Sequence, residues 1–197
     1  MTLMILSKDI DRYIEVVSKG QTYTPVGKWF LLLRRSSLFA IAVFRYGYWV
    51  QQKFPDKKHK LIRVMLNILY HIGRKVCMIW GKYEILETTP VGPGLVIADK
   101  GRIVVGANKI GSNVTIFSNV TIGMDMDGKK SEIGDNVVIC SNSIVYGPIK
   151  VGNGCVVEPA SVLTKTIPDG LSVKGNPARV SGRNVDVQSF IENELSA

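Results

Sequence analysis

The chain has 197 residues, 46% of them hydrophobic, and a formal net charge of +9, a composition ordinary for a folded globular protein. The excess charge lies in residues 1–87, which carry 15 Lys and Arg against 6 Asp and Glu, while residues 88–197 carry 10 of each. Such a basic half points to nucleic acid, an anionic membrane surface or an acidic substrate, and the lack of any nucleic-acid-binding motif argues against the first. Three scattered cysteines, Cys77, Cys140 and Cys155, form no CxxC pair, which argues against a disulfide framework and fits a reducing compartment.

From the start of the chain, MTLMILSKDIDRY has a short apolar run followed by charge. It lacks the long apolar core and small-residue cleavage site of a secretory leader. No run of 18 uninterrupted apolar residues follows, so no spanning helix is expected, and the expected location is cytoplasmic. The periodicity predicts a helix over Ser37–Gln52 and a second over Leu61–Trp80. In the second, Leu61, Met65, Ile68, Leu69, Ile72, Val76 and Ile79 recur at spacings of three and four and define one stripe. Arg63, Asn67, Arg74 and Lys75 fall largely off it. The connector Lys53–Lys60 is charged and contains a proline. Two readings fit these helices. In one they pack on each other and on the second half, with their basic faces solvated. In the other, Trp29, Trp49, Trp80 and the arginines rest on an anionic bilayer, giving peripheral contact with the inner face of the membrane.

The second half follows a different rule. Ile133, Ile139, Val145, Val151, Val157 and Leu163 stand six apart without a slip. Four places after each comes a small or aliphatic residue: Val137, Ser143, Ile149, Cys155, Ser161 and Ile167. Ile110, Ile116 and Ile122 repeat the pattern, as do Val91, Ile97 and Ile103, with one slip between the two sets. A period of six is neither the 3.6 of a helix nor the 2 of a simple strand. It fits a triangular coil of about 18 residues per turn, its aliphatic residues pointing inward and stacked turns pairing in parallel. Small polar corners such as Gly111-Ser112-Asn113 and Gly134-Asp135-Asn136 suit the bends. The interval from Ile122 to Ile133 is too long for the pattern, so 124–131 must leave the coil as an exposed loop, where function often sits.

These repeats resemble those of the hexapeptide-repeat acyltransferases. The run SLFAIAVFRYGYWV at 37–50, the Gly81-Lys82-Tyr83-Glu84-Ile85 entry, IVVG at 103–106, NVTIG at 119–123 and the closing KGNPARV at 174–180 are similar to serine acetyltransferases and to capsule-type and colanic-acid-type acetyltransferases. The likeness covers roughly residues 30–182. It implies an α+β chain: an N-terminal α-helical region (1–87), a left-handed parallel β-helix (88–182) and a C-terminal tail (183–197). It further implies a homotrimer that binds acetyl-CoA in grooves between neighbouring β-helices. Ser141, Gly147 and Pro159 would then flank the pantetheine arm, with Lys165, Lys174 and Arg179 near the phosphates, which ammonium and guanidinium groups suit. Gly175-Asn176-Pro177 is read as the exit turn of the coil. No metal site is implied.

One position departs from the family. Where its histidine base stands, this chain has Asp99, and Lys129-Lys130-Ser131 occupies the place of a second histidine in the loop. The two histidines present, His59 and His71, lie outside the coil. An aspartate is a weak base at neutral pH unless burial raises its pKa, and a positioned base supplies a factor of about 10²–10⁴. Three readings stay open: Asp99 as a tuned base or acceptor-orienting group, an amine acceptor that needs little base assistance, or a non-catalytic scaffold or partner subunit. The function expected is acyl transfer, acetyl-CoA to a hydroxyl of a sugar or surface-polysaccharide precursor, with N-acylation of an amino sugar as the alternative. Ser118 and Asn119 are candidate oxyanion donors.

Overall fold

A computed structural model describes residues 2–18, 21–54, 60–98 and 101–196, and the six-residue repeat organises its larger part. One sheet is made of β1 (Tyr83–Ile85), β3 (Ile103–Val105), β6 (Thr121–Gly123), β9 (Ile144–Tyr146) and β12 (Val162–Leu163). A second holds β4 (Lys109–Ile110), β7 (Glu132–Ile133) and β10 (Lys150–Val151). The third holds β2 (Val96–Ile97), β5 (Thr115–Ile116), β8 (Val138–Ile139), β11 (Val156–Val157), β13 (Leu171–Lys174) and β14 (Arg179–Arg183). The chain visits the sheets in rotation, and every pairing is parallel except that of β13 with β14. This is the expected parallel β-helix.

Register follows the repeat. Ile133 pairs with Val151, Ile139 with Val157 and Val145 with Leu163, each 18 residues on. Thr121 instead pairs with Ile144, 23 residues on, because the loop at 124–131 is inserted in that coil. The inward column from Ile97 through Leu163 is buried throughout, as are the second-position residues from Val114 to Ile167. Each such aliphatic side chain contributes about 1.5–3 kcal/mol by leaving water, and stacking makes the column continuous.

The three outer faces differ. On the second sheet Lys109, Glu132 and Lys150 point outward, with Lys150 Nζ 3.5 Å from Glu132. On the third, the outward residues Val96, Thr115, Val138, Val156 and Ser172 are all buried. Two sets of helices cover it: α1 (Thr2–Val17) and α3 (Ser36–Lys53) at the first coils, and α5 (Val187–Ser196), which buries Ile191, further down at β8. The first sheet keeps an open apolar strip at Ile144 and Tyr146.

A buried ion pair fastens the helices to the coil. Arg45 Nε on α3 donates to Asp9 Oδ2 on α1 at 2.9 Å, and Asp9 Oδ1 also accepts from the backbone N–H groups of Gly94 (2.7 Å) and Leu95 (2.9 Å). Arg45 spends its other nitrogens on the carbonyls of Val91 (2.5 Å) and Gly92 (2.6 Å). Arg12 reaches the Gly94 carbonyl (2.6 Å) and Thr115 Oγ1 (3.0 Å). Burial pushes the Asp9 carboxyl pKa upward, and the Arg45 guanidinium and the two N–H groups pull it back.

α2 (Pro25–Arg34) begins where Thr24 Oγ1 accepts from Gly27 N at 3.1 Å, with Pro25 in the first turn, and ends at the extended Arg35. α4 (Lys60–Trp80) packs closely on α3: a Cβ on Gly47 would lie 2.4 Å from the Tyr70 ring, and one on Gly73 3.1 Å from Val43.

α4 is turned the opposite way to its pattern. Its inward side carries Tyr70, whose hydroxyl donates to Glu87 Oε2 (2.9 Å), and Arg74, which pairs with Glu84 (3.1 Å). Its apolar stripe faces out, with Leu61 76% and Ile79 84% exposed and Met65, Ile68, Leu69, Ile72 and Val76 exposed between them. α2 does the same with Val26, Trp29, Phe30 and Leu33. α4 therefore packs on α3 and on β1, as the packed reading expects, but with its apolar stripe outward. Its polar groups find partners on β1 and the following turn, whereas its aliphatic groups find none.

The two predicted helices match α3 and α4, while α1, α2 and α5 were not anticipated. The first sheet begins at Tyr83, inside the segment assigned to the helical region. Residues 55–59 of the charged connector, His59 among them, lie outside the described residues. No helix among the described residues is long and apolar enough to cross a membrane.

Candidate active site

The bend from the third sheet to the first recurs in every coil, and one residue at each bend takes a left-handed backbone. These are Gly101 (φ 87°), Asn119 (57°), Asn142 (61°) and Ala160 (55°), and Gly175 (98°) repeats the conformation in the turn between β13 and β14. Asparagine and glycine tolerate that conformation, and the asparagines link neighbouring coils. Asn119 Oδ1 accepts from Arg102 N at 3.0 Å, and its Nδ2 donates to Asn142 Oδ1 at 3.1 Å. Ala160 has no side-chain group to bond there, so this bend holds about 1–3 kcal/mol of backbone strain.

At the head of this column a cleft of about 710 Å³ opens between the end of α4 and the first coils. Met78, Ile79 and Trp80 form its apolar wall, while Lys82, Glu84, Gly101, Arg102 and Asn119 supply backbone and polar groups. Glu84 is already paired with Arg74, which leaves Lys82 and Arg102 as the cations among the described lining residues. The cleft therefore suits an acceptor with an apolar portion and an anionic or hydroxyl-rich portion. Asp99, the predicted base, lies outside the described residues, which resume at Gly101 in the cleft wall.

Of the predicted oxyanion donors, Asn119 lines the cleft, whereas the six predicted cofactor-binding residues gather around the lower half of the first sheet and none lines it. Ser141 and Pro159 occupy successive bends of the column, joined where Ala160 N donates to the Ser141 carbonyl at 2.9 Å. Lys174 and Arg179 sit opposite one another across β13 and β14. Gly147 and Lys165 follow β9 and β12, at the bends on the far border of the same sheet. The six thus bracket the exposed strip of Ile144 and Tyr146. Lys165, Lys174 and Arg179 are exposed and make no ion pair with a described residue. Gly147 is itself buried, while a Cβ added to it would meet nothing within 4 Å. Ser141 is not open: its hydroxyl donates to Glu194 Oε2 on α5 at 2.6 Å.

Other candidates change standing. The Asn119 amide bridges neighbouring coils through its oxygen and one of its two N–H groups, which leaves the second N–H as a donor. Gly175-Asn176-Pro177 forms the exit turn between β13 and β14, as expected. His71 stands on α4 two turns before the cleft, its ring 5.4 Å from that of Tyr70. The loop at 124–131 folds on itself, Asp125 Oδ1 accepting from Lys129 N at 2.8 Å, with Met126 fully exposed. All three cysteines are free and buried; burial pushes the Cys77 thiol up to about 11, and Cys140 and Cys155 upward too. None is poised as a nucleophile. Sequence reasoning missed Trp80, Lys82 and Arg102 as a group. Only the register of β1 on β3, which brings Lys82 beside Ile103, juxtaposes them.

Residues 130–165 match the family described as bacterial transferase hexapeptide (six repeats). Along 188 residues the chain is 28% identical to a serine acetyltransferase of Bacillus pumilus (strain SAFR-032), covering 93% of this chain and 79% of that protein. It is 36% identical over 92 residues to the putative acetyltransferase YvoF of Bacillus subtilis (strain 168), covering 46% and 54% of the two chains. Among solved structures, the serine acetyltransferase of Brucella abortus strain S19 in complex with coenzyme A superposes with a TM-score of 0.73 at 20% identity, over 93% of this chain and 68% of that one. Repeat, fold and sequence together make this chain similar to hexapeptide-repeat acyltransferases, the serine acetyltransferases among them, and support an acyltransferase.

Proposed function

We propose that the protein is an acetyl-CoA-dependent O-acetyltransferase acting as a homotrimer on a small hydroxyl acceptor, with serine the first acceptor to test. The observation that carries this reading is that the likeness to serine acetyltransferases runs through the helical half as well as the repeat. In the transfer, the acceptor oxygen bonds to the acetyl carbon, the carbon–sulfur bond breaks, and the hydroxyl proton ends on the CoA thiol. The exposed cations Lys165, Lys174 and Arg179, which pair with no described residue, suit the phosphates of CoA. Lys82 and Arg102 would orient the acceptor in the cleft, with Asp99 as the group nearest in sequence to serve as base.

The missing histidines favour a second reading, in which the acceptor is a sugar or surface-polysaccharide precursor, including the amine of an amino sugar. A neutral amine attacks a thioester without the base that a hydroxyl needs.

Release of free thiol from acetyl-CoA, followed with serine, glucosamine and neutral sugars in turn, tests both. Acceptor-dependent release with serine is expected. Lys174→Ala with Arg179→Ala should raise the KM for acetyl-CoA about tenfold and leave kcat nearly unchanged. Asp99→Asn should cut kcat about tenfold or more for a hydroxyl acceptor and little for an amine. Release with glucosamine alone would replace the first reading by the second. Release with no acceptor above the rate in buffer, from a folded protein, would leave a non-catalytic β-helix subunit.

A further inference from the structure

We infer that the helical half docks on an anionic lipid surface through the outward apolar stripes of α2 and α4. On α4 the stripe Leu61, Met65, Ile68, Leu69, Ile72, Val76 and Ile79 is exposed along its whole length, and a 21-residue helix runs about 30 Å. On α2, Val26, Trp29, Phe30 and Leu33 take the i, i+3, i+4, i+7 positions of a second such stripe. Both helices pack on α3, so two helices attached to one support turn their apolar sides away from the protein. Soluble surfaces scatter exposed apolar residues singly; contiguous stripes of this kind mark a surface that is covered.

The charge around the stripes selects the cover. Arg34 stands one turn beyond Phe30, Lys75 one turn beyond Ile72, and Lys82 just past the end of α4, all three exposed. They belong to the half of the chain that holds the entire +9 excess. A second copy would bring this basic half against itself, like charge on like, whereas an anionic bilayer brings opposite charge and an apolar layer together. Trp29, Phe30 and Trp80 are amphipathic or aromatic side chains suited to the level of the headgroups. Neither helix is built to cross the bilayer, so both lie in its plane. The cleft shares Ile79 with the α4 stripe, so it borders the docked surface.

Sedimentation of the full chain with vesicles of phosphatidylcholine, alone or mixed with phosphatidylglycerol, tests the docking without reference to acetyl transfer. Binding to the anionic vesicles should exceed binding to neutral ones by about tenfold or more, weaken with salt, and shift tryptophan emission to the blue. The exposed-site variants Ile68→Gln/Ile72→Gln and Trp29→Ala/Phe30→Ser should each lower it about tenfold while circular dichroism and melting stay unchanged. Absence of binding to anionic vesicles by the folded chain overturns the inference. So does equal binding by the variants, or a self-association that the same variants abolish in the absence of any vesicle binding.

Discussion

The two halves of this molecule use amphipathicity in opposite senses. In the β-helix the inward column from Ile97 to Leu163 is aliphatic and buried throughout, so pattern and environment agree. In α4 the apolar stripe meets solvent while Tyr70, Arg74 and the α3-facing Gly73 meet protein. A period shows that a helix has two unlike faces. It does not show which of them the rest of the chain will take, because a polar face that finds specific partners can be the inner one.

The sharpest way to break this comparison is to remove one member of the polar junction. Asp9→Ala leaves Arg45 buried without its carboxylate and two backbone N–H groups unpaired, and should cost about 3–5 kcal/mol in urea unfolding. A loss below about 1 kcal/mol would mean that the helices are held by apolar contact after all. In the coil, Ile139→Ala opens a cavity in a column with no slack on either side and should cost about 2–5 kcal/mol. Between α3 and α4 the contact is steric: Gly47→Ala drives a Cβ into the Tyr70 ring and should cost about 1–3 kcal/mol, read as a lower melting temperature. The smallest effect belongs to the reversed stripe. Ile72→Gln should change stability by about 0.5 kcal/mol or less, and a loss of several kcal/mol would show that this face is packed in solution.

The coil was legible because each inward position samples the same surroundings every sixth residue, so one rule repeats until chance is excluded. Its bends were legible for the same reason, whereas Ser141, Pro159, Lys174 and Arg179 were marked by resemblance and not by the period. The cleft was not legible. Trp80, Lys82 and Arg102 become neighbours only when β1 settles beside β3, and nothing in their spacing announces it. The Asp9–Arg45 pair and the seal of Glu194 on Ser141 span 36 and 53 residues, and no local period reports on such distances. Asp99 was singled out by resemblance alone.

The reversal of β14 against β13 has a consequence for the fate of the molecule in a crowded cell. A stack of parallel rungs presents at its last rung a template on which another chain's strand could add, and repetition of that step is how fibrils lengthen. Here the final rung is taken by an antiparallel segment of the same chain that carries Arg179 and Arg183, while α4 packs against β1 at the first rung. On the third sheet an incoming strand therefore meets an antiparallel segment bearing arginines where it would need a bare parallel edge.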